Sequence, residues 1–219
     1  MTDTPDLTLY YALHDAMRRS STRLHEAVRT ADRHRTGAIS RWFTGFVGEL
    51  RMHHTVEDEV FFPALAERVP TYQEHGPELT ADHHRMDEIL DDLGATLRRV
   101  ADSLDWAPDH DTAVRLAAEL RDLLDVHLDH EDADVVPLFG RHFTAAEYDG
   151  LRERADKVAL SAKQAFWTVP WLVANVDAET QAKLMAEAPL PLRIVWRLSR
   201  RRYARLEEEA LGYERVASS

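Results

Sequence analysis

Two histidine–glutamate pairs carry the chemistry that this chain can do. His53 is followed four residues later by Glu57, and His127 four residues later by Glu131; a proline, Pro63 or Pro137, stands six residues beyond each glutamate. Each half also has an earlier histidine three residues before a methionine. These are His14 before Met17 and His83 before Met86, 39 and 44 residues ahead of the corresponding pair. Residues i and i+4 are neighbours on a helix, with Cβ atoms roughly 5–6 Å apart. An imidazole and a carboxylate so spaced can point the same way and share a metal ion. A glutamate's two oxygens can bind one ion each, so four imidazoles and two carboxylates form a set that suits two ions. The carboxylates would offset part of the ions' charge, which an apolar core cannot otherwise hold. A single such pair is ordinarily a solvated surface pair worth ~0.2–0.5 kcal/mol; the duplication singles these out. His25, His34, His75, His110 and His142 have no such setting and read as surface residues.

The donors are nitrogen and oxygen alone. The chain has no cysteine, which excludes thiolate ligands, disulfides and cysteine nucleophiles together. A nitrogen-and-oxygen set suits iron or manganese, with zinc also possible.

Long helices must position these residues. Apolar residues recur at helical spacing and no alternating strand pattern is found. The spacing predicts a first helix over about 7–32, interrupted at Thr36 and Gly37, and a second over about 40–68, stopping near Pro70. A third is expected over about 78–104, ahead of the break Asp105-Trp106-Ala107-Pro108, and a fourth over about 109–139, with Gly140 as its stop. Short loops imply antiparallel neighbours, so the expected fold is all-α, an up-down four-helix bundle. The box Thr144-Ala145-Ala146-Glu147 starts a fifth helix to about Trp167. The remainder is broken by Pro170, Pro189 and Pro191 before a last helix over about 192–210. There Leu192, Val195, Trp196, Tyr203 and Leu206 form a stripe, flanked by Arg193, Arg197, Arg200, Arg201, Arg202 and Arg205. The expected organisation is a bundle over 7–142 and a helical C-terminal extension over 143–219.

The 219 residues carry a net charge of -12, unevenly spread. Residues 1–150 hold 15 Lys+Arg against 30 Asp+Glu and all twelve histidines, whereas 151–219 hold 12 against 9. The acidic part would repel phosphates, so nucleic acid is not an expected partner. No run approaches the roughly 20 apolar residues of a spanning helix, and Met1 to Leu9 lacks a signal peptide's basic and apolar regions. A cytoplasmic location is expected. The extension's arginine-flanked stripe is expected to pack on the bundle or form a homodimer contact rather than lie on a membrane.

The same residues resemble the hemerythrin-like, histidine-histidine-glutamate cation-binding family over about residues 7–142. The most similar segments are Met52-His53-His54, Glu57-Asp58-Glu59-Val60-Phe61-Phe62-Pro63-Ala64-Leu65 and Asp82-His83-His84-Arg85-Met86-Asp87. The resemblance implies a four-helix bundle with two non-haem iron ions, bridged by two carboxylates and a solvent oxygen (oxo or hydroxo). By position, His14, His53, Glu57, His83, His127 and Glu131 match the family's ligands. His83 is preferred to His84 because it aligns with His14 before a methionine. The family's oxygen carriers place a further histidine four residues after the one on the third helix, where this chain has Asp87. His54 is a further candidate for that role. They also place the last carboxylate five residues after its histidine, which here is Asp132, whereas Glu131 mirrors the first pair.

With fewer imidazoles, the resemblance points away from reversible oxygen carriage. It implies a redox reaction with a small oxidant, hydrogen peroxide, dioxygen or nitric oxide, since an open position lets such a molecule reach the metal. Tyr10, one turn before His14, is placed to supply a proton or electron. The competing class is an oxygen- or iron-sensing module without turnover, and a third is a purely structural metal.

Overall fold

A computed structural model describes residues 3–102, 107–159 and 162–212. Among the described residues, ten α-helices follow one another: α1 Thr8–Arg29, α2 Arg33–Val56, α3 Phe62–Arg68, α4 Gly76–Asp102, α5 Ala107–His130, α6 Val136–His142, α7 Ala145–Ala159, α8 Ala162–Asn175, α9 Ala178–Glu187 and α10 Leu190–Leu211. No strand occurs among the described residues, and none of their helices is long and apolar enough to cross a membrane. The all-helical class follows the sequence reading.

The boundaries depart from that reading in three places. Thr36 and Gly37 do not interrupt a helix but lie inside α2, which starts at Arg33 because the Asp32 carboxylate accepts from the Arg35 amide. A glycine inside a helix costs about 1 kcal/mol against alanine, and α2 offsets this by burying Ile39, Trp42, Phe43 and Phe46. Gly140 does not stop a helix either: α6 runs to His142 and ends where Phe143 turns extended. Pro170 lies within α8 rather than breaking it. The fully buried Trp171 beside it holds that helix in place. The expected fifth helix is divided between α7 and α8; residues 160 and 161 lie outside the described residues, as do Leu104, Asp105 and Trp106. Thr144 and Glu147 form the expected capping box, the Glu147 carboxylate accepting from the Thr144 amide at 2.8 Å. α10 opens on Pro189 and Pro191 and closes at Gly212, whose φ of +76° suits glycine.

Both glutamates of the repeat open a π-helical turn, Glu57–Phe61 joining α2 to α3 and Glu131–Val135 joining α5 to α6. In each, the glutamate's own carbonyl accepts from the amide five residues on, Phe62 or Val136. Pro63 and Pro137 follow directly. A proline has no N–H to offer the previous turn, so the helix registers slip by one residue there. Such bulges concentrate at functional sites.

α1 packs on α5 and α2, and α4 packs on α5 and α2. Their inner faces form two apolar clusters. One contains Met17, Leu24, Phe46, Leu50, Met86 and Leu124; the other contains Tyr10, Phe61, Phe62, Leu79, Val135 and Phe139. On α1 and α4 the repeat's histidine falls between a residue of one cluster and a residue of the other, and on α2 and α5 it falls between the first cluster and the π turn that carries Val60 or Val135 of the second. α8 covers α1 and α2, and α10 covers α2 and α8. Trp171 donates to Ser20 Oγ at 2.8 Å, and Tyr203 meets Trp42 across the same seam.

Candidate metal centre

The repeat's residues meet in the core. His14, His53, Glu57 and Glu131 form one group and His54, His83 and His127 another, with ligand atoms within 4.8 Å of one another inside each group. All seven residues are buried. His53 and His54 are successive residues, about 100° apart around α2, so one helix serves both groups.

The glutamates stand between them. Glu57 turns Oε1 to His53 Nε2 at 3.1 Å and Oε2 to His83 Nε2 at 3.6 Å. Glu131 turns Oε2 to His14 Nε2 and Oε1 to His127 Nε2, both at 3.4 Å. Two ligand atoms ~2.1 Å from one ion stand ~3.0–3.4 Å apart at right-angled to tetrahedral coordination. Three of the four separations fall in that range, and the Glu57–His83 one lies just above it. Each carboxylate thus presents one oxygen to each group.

The buried atoms lack other partners. His14 Nε2, His53 Nε2, both ring nitrogens of His54, Glu57 Oε2 and both Glu131 oxygens make no hydrogen bond. Buried polar atoms are nearly always paired, and this many orphans converging on one place fit a cation-binding site. Electrostatics agree. Burial, and then the neighbouring histidines, hold the His53 and His54 imidazoles well below their ordinary pKa, in the neutral form that binds metal. Burial, and then the charge of Glu131, push the Glu57 carboxyl well above the usual range. Two bare carboxylates this close need a cation if both are to ionise.

Outer carboxylates aim the rings. Asp132 meets His14 Nδ1 at 2.7 Å, Asp58 meets His83 Nδ1 at 3.1 Å, and Asp82 meets His127 Nδ1 at 3.4 Å. A carboxylate on the far nitrogen fixes the tautomer and directs Nε2 inward. Tyr10 donates to Glu57 Oε1 at 2.6 Å. Burial, and then the charges of Glu57 and Glu131, keep that phenol protonated by raising its pKa well above the ordinary value.

Of the sequence candidates, His14, His53, His54, Glu57, His83, His127 and Glu131 are brought together. Asp132 sits behind His14, with its other oxygen on Arg18 at 2.8 Å. Asp87 is not brought in; its carboxylate lies on Arg51 at 2.9 Å. Asp58 and Asp82 were missed by sequence reasoning. The signal for Asp58 was present, because an aspartate follows the glutamate in both copies of the repeat. His75 reaches no member of the two groups, lying 2.8 Å from His130 at a half-buried position.

No curated protein and no solved structure matches the chain. The family model for the hemerythrin HHE cation binding domain matches residues 7–159, a span that holds both metal groups, all three ring-aiming aspartates and α7. With a buried His/Glu cluster able to hold metal inside that span, the chain belongs to the hemerythrin HHE cation-binding family.

Proposed function

We propose that this is a non-haem di-iron protein that reacts with a small oxidant, hydrogen peroxide, dioxygen or nitric oxide. In this reading α1, α2, α4 and α5 form the up-down antiparallel bundle. His14 and His53 would hold one iron and His54, His83 and His127 the other, with Glu57 and Glu131 reaching both groups. Bound there, a pair of irons would supply the redox chemistry that reduces the oxidant.

The observation that carries the reading is the unequal division of imidazoles, two in one group and three in the other, around two shared carboxylates. The poorer group keeps positions for an outside molecule, as a reactive metal site must. The chain's own residues have defined tasks. Asp132, Asp58 and Asp82 keep three imidazoles aimed. Phe61 and Phe139, packed edge-to-face at 5.4 Å, belong to the apolar cluster at one end of the site and exclude water there. Tyr10 holds its proton on Glu57 Oε1, where it can pass to a reduced product.

Metal analysis of the purified protein, then its visible spectrum and peroxide consumption, tests the proposal. The expected result is two irons per chain, a visible band sensitive to peroxide and rapid peroxide loss, with lower metal content in Glu57→Ala and Glu131→Ala. One zinc per chain without a visible band would overturn it. Two irons that bind oxygen reversibly and leave peroxide intact would overturn the turnover and favour sensing.

A further inference from the structure

A cavity of about 340 Å³ opens between α1, α2 and the C-terminal helices, with apolar walls from Leu9, Leu13, Met52, Val169, Leu172 and Leu184. A smaller one of about 140 Å³ adjoins it and reaches Tyr10, His53, Glu57 and Phe61. Leu9, Leu13, Glu49 and Met52 border both. The inner cavity therefore ends on the two-imidazole group, at His53, whose Nε2 is buried and makes no hydrogen bond. Met52, an adaptable side chain, stands at the junction.

The walls state what fits. At the ~30 Å³ that a water-sized group occupies in a liquid, the outer cavity holds about ten heavy atoms, at the small end of the range for ligand pockets. Its charges disfavour an anion: Asp156 and Glu187 border it, and Lys183 is taken by Asp6 at 2.8 Å, leaving Arg152 as the other base. Glu49, with Thr168 and Gln164 hydrogen-bonded to its carboxyl, gives a buried polar point on the α2 wall of the chamber.

We propose that this cavity binds an uncharged, largely apolar organic molecule of about ten heavy atoms, its one polar group at Glu49 and its inner end facing His53. The site is built jointly by α1, α2 and α7 and by α8 and α9, the last two lying beyond the family match. The binding stands on the cavity alone; only the statement that the inner end faces a metal rests on the di-iron reading.

Titration with 1-naphthol, an uncharged two-ring molecule of this size, tests it, with 1-naphthoate as the anionic counterpart. The full-length protein is expected to bind one 1-naphthol per chain, and 1-naphthoate at least about tenfold more weakly. Ala165→Trp on α8, which fills the outer cavity, should weaken 1-naphthol about tenfold or more while circular dichroism and metal content stay the same. Leu184→Trp on α9 provides the same test should the first variant fold poorly. In the manganese-loaded protein the bound ligand's proton relaxation should exceed that in the zinc-loaded protein. Absence of saturable binding, undiminished binding in both variants, or equally tight 1-naphthoate would overturn the proposal. A chain that binds 1-naphthol but takes up no metal would support the cavity and overturn the di-iron reading instead.

Discussion

The Asp132 carboxylate lies 2.7 Å from Nδ1 of His14, joining the second half of the repeat to the first. The reciprocal bond runs from His83 to Asp58 at 3.1 Å. Each aspartate directly follows a glutamate of the repeat, so one short segment carries a candidate ligand and the device that aims the opposite histidine. Asp132→Asn keeps the shape but removes the charge that holds His14 in its tautomer. Metal affinity is expected to fall about 10–100-fold, measured by competition with a chromophoric chelator, while helix content is unchanged. Unchanged affinity would mean that His14 needs no such support.

His54 and Asp87 are the two candidates for the place of the missing histidine, and their surroundings differ. Both ring nitrogens of His54 are buried without hydrogen bonds, whereas the Asp87 carboxylate is half-exposed and lies on Arg51. His54→Ala is therefore expected to lose one of two metal ions per chain, and Asp87→Ala none. Elemental analysis of both variants decides the matter, and loss of metal in Asp87→Ala alone would reverse the assignment.

The repeat was legible because a shared ion demands particular residue types at helical spacing, and that demand survives in one dimension. His53, Glu57, His127 and Glu131 could be paired from spacing alone. His54 could not: neighbours on a helix point about 100° apart, and that divergence helps only when two groups lie on either side of α2. The π turns were hidden because they depend on which carbonyl an amide finds, although Pro63 and Pro137 marked the places. Helix starts and stops at Thr36, Gly37, Gly140 and Pro170 were misread for one reason. Local propensities of about 1 kcal/mol for glycine yield to the burial of large side chains, here Trp42, Phe139 and Trp171. Glu49 was overlooked although it stands one turn before His53 on the same face.

Gly45 is where the extension seats itself on α2. A Cβ at this position would lie 2.1 Å from Nε1 of Trp167, and Trp167 stacks on Trp171 with ring centroids 5.4 Å apart. Gly45→Ala gains helix propensity but forces the indole out of its seat, and overpacking of this kind costs about 1–3 kcal/mol. The expected outcome is a lower Tm and a red-shifted tryptophan emission, with metal content retained because Gly45 lies about two turns along α2 from His53. A rise in Tm would show that Trp167 finds an equally good position.

Glu49 makes stability depend on pH. Burial raises its carboxyl from 4.5 to about 7, against the hydrogen bonds from Thr168 and Gln164, which favour the ionised form. Between those two values the unfolded chain releases a proton that the folded chain keeps. Stability is therefore highest below the unfolded value and falls as pH rises, until the folded carboxyl itself ionises near 7. At 1.36 kcal/mol per unit this is on the order of 3 kcal/mol for the group. Glu49→Gln retains an oxygen for Thr168 and Gln164 and carries no charge. The variant should match the wild type near pH 4 and exceed it by roughly 1–3 kcal/mol at pH 8, in urea melts of the metal-free protein. Parallel curves for the two proteins across that range would show that Glu49 stays ionised in the fold.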